Sequence, residues 1–291
     1  MRAWLDRRIV PTTAWGAAAR FFEHQMTDRA ATLSYYAMLS LFPALLVTIT
    51  IIGLTAGEDT VQSIVSFARD RGVAGGDLDV IETVSRRVSQ ISSGTVSLTL
   101  LVSLVVGLNA ASGIFNAAGR AVDAAFEVRN ERGFVNQRLI VYAITGVVLL
   151  LLLVVFVMAV VGGGIAEGLF DLIGLGSTAA RVWGVARWPA ALALAILAVA
   201  VVTRYAPSPA ARRRHAITRG TFATVGGWIV ASVGFSVYVA NFSHYGALYG
   251  AFSAAIVLLL WLYLLAIAFL YGAELDAEVA RRRAPEAPQP G

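Results

Sequence analysis

No Asp, Glu, Lys or Arg lies between Arg219 and Glu274. One bilayer crossing needs ~20 apolar residues, and this run is more than twice as long. Its middle, from Tyr238 through Asn241, His244, Tyr245 and Gly246 to Tyr249 and Gly250, is polar and contains glycine. The pattern predicts a transmembrane hairpin with helices over 220–241 and 248–273. The second helix is the more apolar and is expected to end abruptly at Gly272, Ala273 and Glu274, with Arg281, Arg282 and Arg283 following.

Four further uncharged or nearly uncharged windows precede it, at 30–57, 96–119, 139–164 and 183–204. Charged residues make up 14% of the chain, against about a quarter in soluble proteins. The fold class expected is therefore an all-α, polytopic membrane bundle of six spans covering 30–280. Pro43 removes a backbone donor and should kink the first span. That leaves the Leu39 carbonyl short of a partner, which the Ser40 hydroxyl could partly replace. Gly162, Gly163 and Gly164 break the end of the third span. Residues 58–93 carry apolar stripes at helical spacing (Val61, Ile64, Val65; Leu78, Ile81, Val84) with acidic and Arg residues between them. They predict two short amphipathic helices outside the bilayer.

Residues 1–29 do not form the clean apolar core of a cleaved signal peptide. Trp15, Ala18, Ala19, Phe22 and Met26 recur at helical spacing and predict an interfacial amphipathic segment. Residues 281–291, rich in proline, are expected to be a disordered tail. The absence of cysteine excludes disulfides and Cys-based metal sites.

Two groups of residues carry a family resemblance. The first is Phe235, Tyr238, Asn241, His244, Tyr245, Leu248, Tyr249, Gly250, Leu260, Trp261, Tyr263 and Gly272-Ala273-Glu274-Leu275. The second is Asp28 leading into Ser34, Tyr35 and Tyr36 with Leu41, Phe42 and Pro43. Together they resemble the YihY / virulence factor BrkB family of bacterial membrane proteins. The resemblance implies an integral protein of the bacterial cytoplasmic (inner) membrane. It also brings a ribonuclease label that the family has carried.

All 23 basic residues are Arg, and their distribution sets an orientation. Segments 1–29, 120–138, 204–219 and the tail hold five, four, five and three, seventeen together; 58–93 and 167–187 hold six. Both termini are therefore expected in the cytoplasm, with 58–93 and the His244 turn outside.

Candidate sites follow from polar residues inside or beside the spans. Asn109, Ser112, Gly113, Asn116 and Arg120 share one helical face. They read either as the lining of a polar path or as interhelical hydrogen bonds worth ~0.6 kcal/mol each. Arg120 is expected to pair with Asp123 at the interface. Tyr238, Asn241, His244 and Tyr245 read as an aromatic anchoring belt or as a site for a polar headgroup or solute. Glu274 faces an unfavourable helix-dipole end and needs a partner, with Arg204, Arg219 and Arg281 as candidates. Glu274 is also the residue through which a proton could be coupled. Asp28, Ser34 and Tyr35 are expected at the same cytoplasmic level and could join it.

The three His residues, 24, 215 and 244, do not fall in metal-binding spacings, and no convergent acid/base pair is expected. The ribonuclease label therefore finds no support in the residues, and no cofactor, metal or nucleic acid is implied. The leading expectation is a transporter or permease-like protein that moves or binds a polar or amphipathic small molecule or lipid. The alternative is a non-transporting membrane scaffold or envelope-integrity factor. The expected partners are membrane lipid, a small-molecule substrate and, through small-residue faces, a second copy as a homo-oligomer.

Overall fold

A computed structural model describes residues 13–55, 93–160, 176–211, 217–241 and 251–283. Seven α-helices and one 3-10 turn make up these residues, with no strand among them. The helices are α1 (Thr13–Glu23), α2 (Met26–Thr55), α3 (Ser93–Ala125), α4 (Phe134–Val160), α5 (Gly176–Tyr205), α6 (Arg219–Asn241) and α7 (Ala251–Arg283). The 3-10 turn is Pro209–Ala211. The expected outer helices over 58–93, the Gly162–Gly164 break, the turn with His244 and Tyr245, and the tail beyond Arg283 lie outside the described residues.

Four helices contain segments long and apolar enough to cross a membrane: Phe134–Val155, Arg181–Tyr205, Arg219–Val239 and Ala254–Arg283. The other two windows expected to span, 30–57 and 96–119, are helical where described, in α2 and α3. Leu149, Leu150, Leu152 and Leu153 on α4 and Val230, Val233 and Val237 on α6 stand exposed. Apolar faces of that extent suit acyl chains rather than water.

The chain divides into two compact units, residues 1–35 with 112–291, and residues 36–111. In the smaller unit, α2 stays helical through Pro43. The Ser40 hydroxyl donates to the Ala37 carbonyl at 2.8 Å, not to Leu39. A helical hydroxyl reaches the carbonyl three or four residues back, and the residue immediately before it is out of reach.

In the larger unit, α6 and α7 form an antiparallel hairpin, as the uncharged run predicts. Small residues set its spacing. A Cβ on Gly220 would fall on the Gly272 carbonyl, and one on Gly227 would come within 2.8 Å of the Ala268 Cβ. Polar contacts fix its register. The Trp228 indole donates to the Leu265 carbonyl at 2.9 Å, and that of Trp261 to the Ser232 hydroxyl at 3.2 Å. Indole N–H groups buried among helices need such acceptors. At the end of the hairpin nearer Arg219, the Asp276 carboxylate accepts the Gly220 N–H at 2.7 Å and the Thr218 hydroxyl. A side chain of α7 thereby caps the N-terminus of α6.

Two boundaries differ from expectation. Helix α7 continues to Arg283 instead of stopping near Gly272. Its acidic residues find partners on other elements, and Arg281, Arg282 and Arg283 occupy the last turn, where the helix dipole favours cations. Helix α3 runs on to Ala125, shortening the expected loop over 120–138. It closes in a Schellman motif, with Val128 N–H on the Asp123 carbonyl and Glu127 N–H on that of Ala124, both 3.0 Å.

Helix α1 is amphipathic, but the stripe read from the sequence is divided. Ala17 and Phe21 are buried, and the helix packs on the C-terminal part of α7. Gly16 allows this approach, since a Cβ there would stand 2.8 Å from Glu278 Oε1. Trp15 and Phe22, on the opposite side, are 65% and 72% exposed. The apolar positions at Trp15, Ala19 and Phe22 thus face away from the protein.

The hairpin spacing makes a paired prediction. Gly220→Ala should lower the midpoint of thermal unfolding in detergent micelles, by the equivalent of ~1–3 kcal/mol of overpacking. Gly226→Ala, with nothing within 4 Å of the new Cβ, should leave it unchanged within ~0.5 kcal/mol. Equal effects at the two positions would contradict the close approach of α6 and α7.

Candidate functional site

The charged residues at one end of the larger unit converge on Glu274. This side chain is fully buried on α7. Its Oε1 lies 2.6 Å from His24 Nδ1. Its Oε2 stands 3.8 Å from Arg281 Nη2, and neither of those two atoms has a hydrogen-bond partner. His24 closes α1, followed by Gln25 at φ 53°, a left-handed turn that carries the chain into α2. A non-glycine residue there costs on the order of 1–3 kcal/mol, and the turn holds the imidazole over α7.

Glu127 supplies the second anchor. It too is left-handed, at φ 56°, in the C-cap of α3. Its Oε1 accepts from Arg20 Nη1 at 2.6 Å and lies 3.4 Å from Arg281 Nη1 and 3.7 Å from His24 Nε2. Glu278, one turn beyond Glu274, takes Arg282 Nε at 2.7 Å and Arg281 Nε at 3.3 Å, with Arg20 Nε at 3.8 Å. Arg281 also donates to the Ala125 carbonyl at 3.1 Å. Three guanidinium groups (Arg20, Arg281, Arg282) thus face three carboxylates (Glu127, Glu274, Glu278), with His24 between two of the carboxylates.

A second polar group sits beside the turn after α5. Asp123 is buried, and its Oδ1 accepts the Ser208 N–H at 2.7 Å. Gly119 lets α3 close on this turn, because a Cβ there would stand 2.5 Å from the Ala206 carbonyl. Arg132 Nη1 donates to the Tyr205 carbonyl at 3.4 Å and to Gln137 Oε1 at 3.3 Å. Gln137 Nε2 in turn reaches Asn116 Oδ1 at 3.5 Å.

These contacts place the sequence-derived candidates. Asn116 is half-buried and tied to Gln137, whereas Asn109 and Arg120 on the same helix are exposed. The expected pairing of Arg120 with Asp123 is replaced by the Ser208 cap, because Asp123 turns inward while Arg120 stays at the surface. Tyr238 stacks on Phe235 at 6.0 Å on α6. Asn241 ends that helix, and its side chain, like His244 and Tyr245, lies outside the description. Ser34 is buried but spends its hydroxyl on the Ala30 carbonyl at 2.6 Å. Asp28 and Tyr35 are exposed, and none of the three contributes to the pairs around Glu274. Of the three expected partners of Glu274, Arg281 alone is present, and His24 is the closer one.

The meeting of His24 with Glu274 is a contact that the sequence pattern does not show. Sequence reading missed His24, Arg20, Glu127 and Glu278, which belong to segments far apart in the chain. The available signal was the i, i+4 pair Glu278–Arg282 beside a carboxylate at 274 that needed a cation.

A chain whose described residues are helices and turns, four of those helices having membrane-crossing length and exposed apolar faces, is a helical membrane protein. It belongs to the Virulence factor BrkB family, whose model matches residues 17–291. It is 27% identical over 266 residues to a ribonuclease-like protein, YfkH, of Bacillus subtilis (strain 168), covering 91% of this chain and 94% of that one. It is 28% identical over 273 residues to a UPF0761 membrane protein of Xanthomonas oryzae pv. oryzae (strain PXO99A), covering 92% of this chain but 61% of that one. The same identity and coverage hold for a UPF0761 membrane protein of Xanthomonas campestris pv. campestris (strain B100). No solved structure matches the chain.

Burial pushes the Asp123 carboxyl above its ordinary range, against the lowering effects of the Ser208 N–H and of the Arg132 charge. The folded state therefore holds this proton more tightly than the unfolded chain does. The stability so gained is full below the ordinary carboxylate range and is lost as pH rises through the raised value. Asp123→Asn keeps an acceptor for Ser208 N–H and removes the charge, so it should flatten the decline of melting temperature with rising pH. Asp123→Ala should cost ~1–3 kcal/mol at every pH by orphaning that N–H. A wild-type slope in Asp123→Asn would contradict this account.

Proposed function

We propose that this protein is a permease-like transporter of the bacterial inner membrane that moves an amphipathic small molecule or lipid. Six spans and two cytoplasmic termini are part of that reading. The observation that carries it is Glu274: a fully buried carboxylate on a membrane helix, with one oxygen on His24 and the other without a hydrogen-bond partner. Ionisable groups at such positions are expensive, and a purely structural contact is met as well or better by apolar packing. A group retained at that cost marks a functional centre.

The topology has its own support. Helix α1, the loop around Glu127, the turn at Ser208, the start of α6 and the end of α7 touch one another. They belong to the four Arg-rich segments that the charge distribution assigns to the cytoplasm.

A second reading, phosphodiester hydrolysis, draws on the His24–Glu274 pair and on the ribonuclease-like name of the Bacillus relative. Against it, Glu274 is fully buried and the guanidinium groups of Arg20, Arg281 and Arg282 already face carboxylates.

Reconstitution separates these readings. Vesicles carrying the protein and an acyl-labelled fluorescent phospholipid are treated with a membrane-impermeant quencher. The wild type should expose most of the inner-leaflet probe, and Glu274→Gln, folded to the same degree, should expose ~10-fold less per unit time. Wild-type vesicles that behave like empty ones would favour the scaffold reading. RNA cleavage that disappears in Glu274→Gln would favour the enzyme.

Topology is tested in the cysteine-free chain by single replacements. Cysteine at Glu131 should resist an impermeant maleimide in intact cells, and cysteine at Ser243 should react. The reverse pattern would overturn the orientation.

A further inference from the structure

Glu127, His24 and Glu274 form a line from solvent to interior. The Glu127 side chain is 55% exposed, that of His24 15% and that of Glu274 0%. The imidazole presents Nε2 to Glu127 Oε1 at 3.7 Å and Nδ1 to Glu274 Oε1 at 2.6 Å. The inner distance is a hydrogen bond. The outer one is longer than a hydrogen bond and closes by a small rotation of the exposed Glu127 side chain.

We propose that His24 is a proton relay between solvent at Glu127 and Glu274, which makes Glu274 the proton-binding site of this protein. The inference deepens the transport reading by supplying its coupling ion, and its geometry stands apart from any transported molecule. In the loading step, a solvent proton, arriving directly or after resting first on Glu127, binds Nε2 while the Nδ1–H bond breaks and an Oε1–H bond forms on Glu274, and Glu127 ends as the carboxylate it began as. The imidazole ends neutral with its proton on Nε2. One proton has left solvent, and one carboxylate has become a neutral acid. The reverse step restores the starting tautomer.

The surrounding charges give the step a consequence. Facing the pair are the ion-paired Arg20 from α1, Glu127 from the α3–α4 loop, and Glu278, Arg281 and Arg282 from α7, with Arg29 from α2 donating its Nε to the His24 carbonyl at 3.3 Å. With Glu274 ionised and His24 neutral, three guanidinium groups meet three carboxylates. Loading leaves a positive surplus that falls first on Arg281, which touches Glu274, Glu127 and the Ala125 carbonyl. Proton uptake therefore loosens the attachment of α7 to α1 and to the α3–α4 loop. Those elements would move between the states of a transport cycle.

The experiment is infrared difference spectroscopy of the full chain in lipid vesicles, stepped from alkaline to acidic pH without any transported molecule. The wild type should show the carbonyl stretch of a newly protonated carboxyl, absent in Glu274→Gln. In His24→Gln, which can still donate to Glu274 but cannot relay, the band should grow ~100-fold more slowly, and added free imidazole should restore the rate. Glu127→Gln should slow it less, because the His24 side chain keeps some exposure of its own.

A band that survives in Glu274→Gln overturns the site. Loading of His24→Gln at the wild-type rate overturns the relay. Should His24→Gln fail to fold, the rate in His24→Asn decides in the same way. A normal band without lipid movement leaves the proton site standing and removes the transport reading alone.

Discussion

The buried carboxylate of Glu274 is the constraint on which this end of the molecule depends. An ionised oxygen inside a helical bundle must be matched by cations and hydrogen bonds, and α7 cannot match it alone. His24 comes from α1 and Arg281 from two turns further along α7. Arg281 and Arg20 in turn hold Glu127 on the C-cap of α3. One buried charge thus recruits the N-terminal helix, the end of α3 and the C-terminal turn of α7. It also explains the backbone around it. Of the two non-glycine residues with positive φ among those described, Gln25 directly follows His24 and Glu127 is itself part of the cluster.

The rest of the larger unit is held by means suited to lipid. Hydrophobic burial gives little drive between helices when the surroundings are acyl chains, so close approach and shared hydrogen bonds take over. The α6–α7 hairpin uses both. Gly220 against Gly272 and Gly227 against Ala268 bring the backbones together. Two indoles and the Asp276 carboxylate then pin the register. Asp276 and Glu274 are two residues apart yet serve different ends. Asp276 is satisfied by the α6 N-terminus, whereas Glu274 retains an oxygen without a hydrogen-bond partner. The contrast is one of hydrogen bonding: both oxygens of Asp276 are used, and one oxygen of Glu274 is not.

Much of the architecture was legible in the sequence for a simple reason. Lipid tolerates few charges, so the uncharged run after Arg219 could hardly be anything but paired helices, and α6 and α7 follow it closely. The end of α7 is less legible, because Glu274 marks a helix terminus only where no cation from another segment reaches it. Partners from other segments let the helix continue to Arg283.

The candidate site was legible only at its centre. Glu274 could be singled out as a carboxylate in want of a cation. His24, however, sits in a segment whose amphipathic pattern pointed to Trp15 and Phe22, the face turned away from the protein. Asn109, Asn116 and Arg120 share a helical stripe, but a stripe does not say which positions a neighbour covers, and only Asn116 is partly covered. Long-range contacts such as His24 with Glu274 leave no local pattern, which is why periodicity found the helices and missed their meeting point.

The central claim is that Glu274 and His24 act as one unit, and a double-mutant cycle measures this directly. Unfolding free energies are compared for the wild type, His24→Ala, Glu274→Gln and the double variant in the same detergent. The account predicts strong non-additivity: the double variant should be less destabilised than the two single changes together, by ~1–3 kcal/mol. Additivity within ~0.5 kcal/mol would mean that the two side chains do not sense each other, and the account of this site would fail.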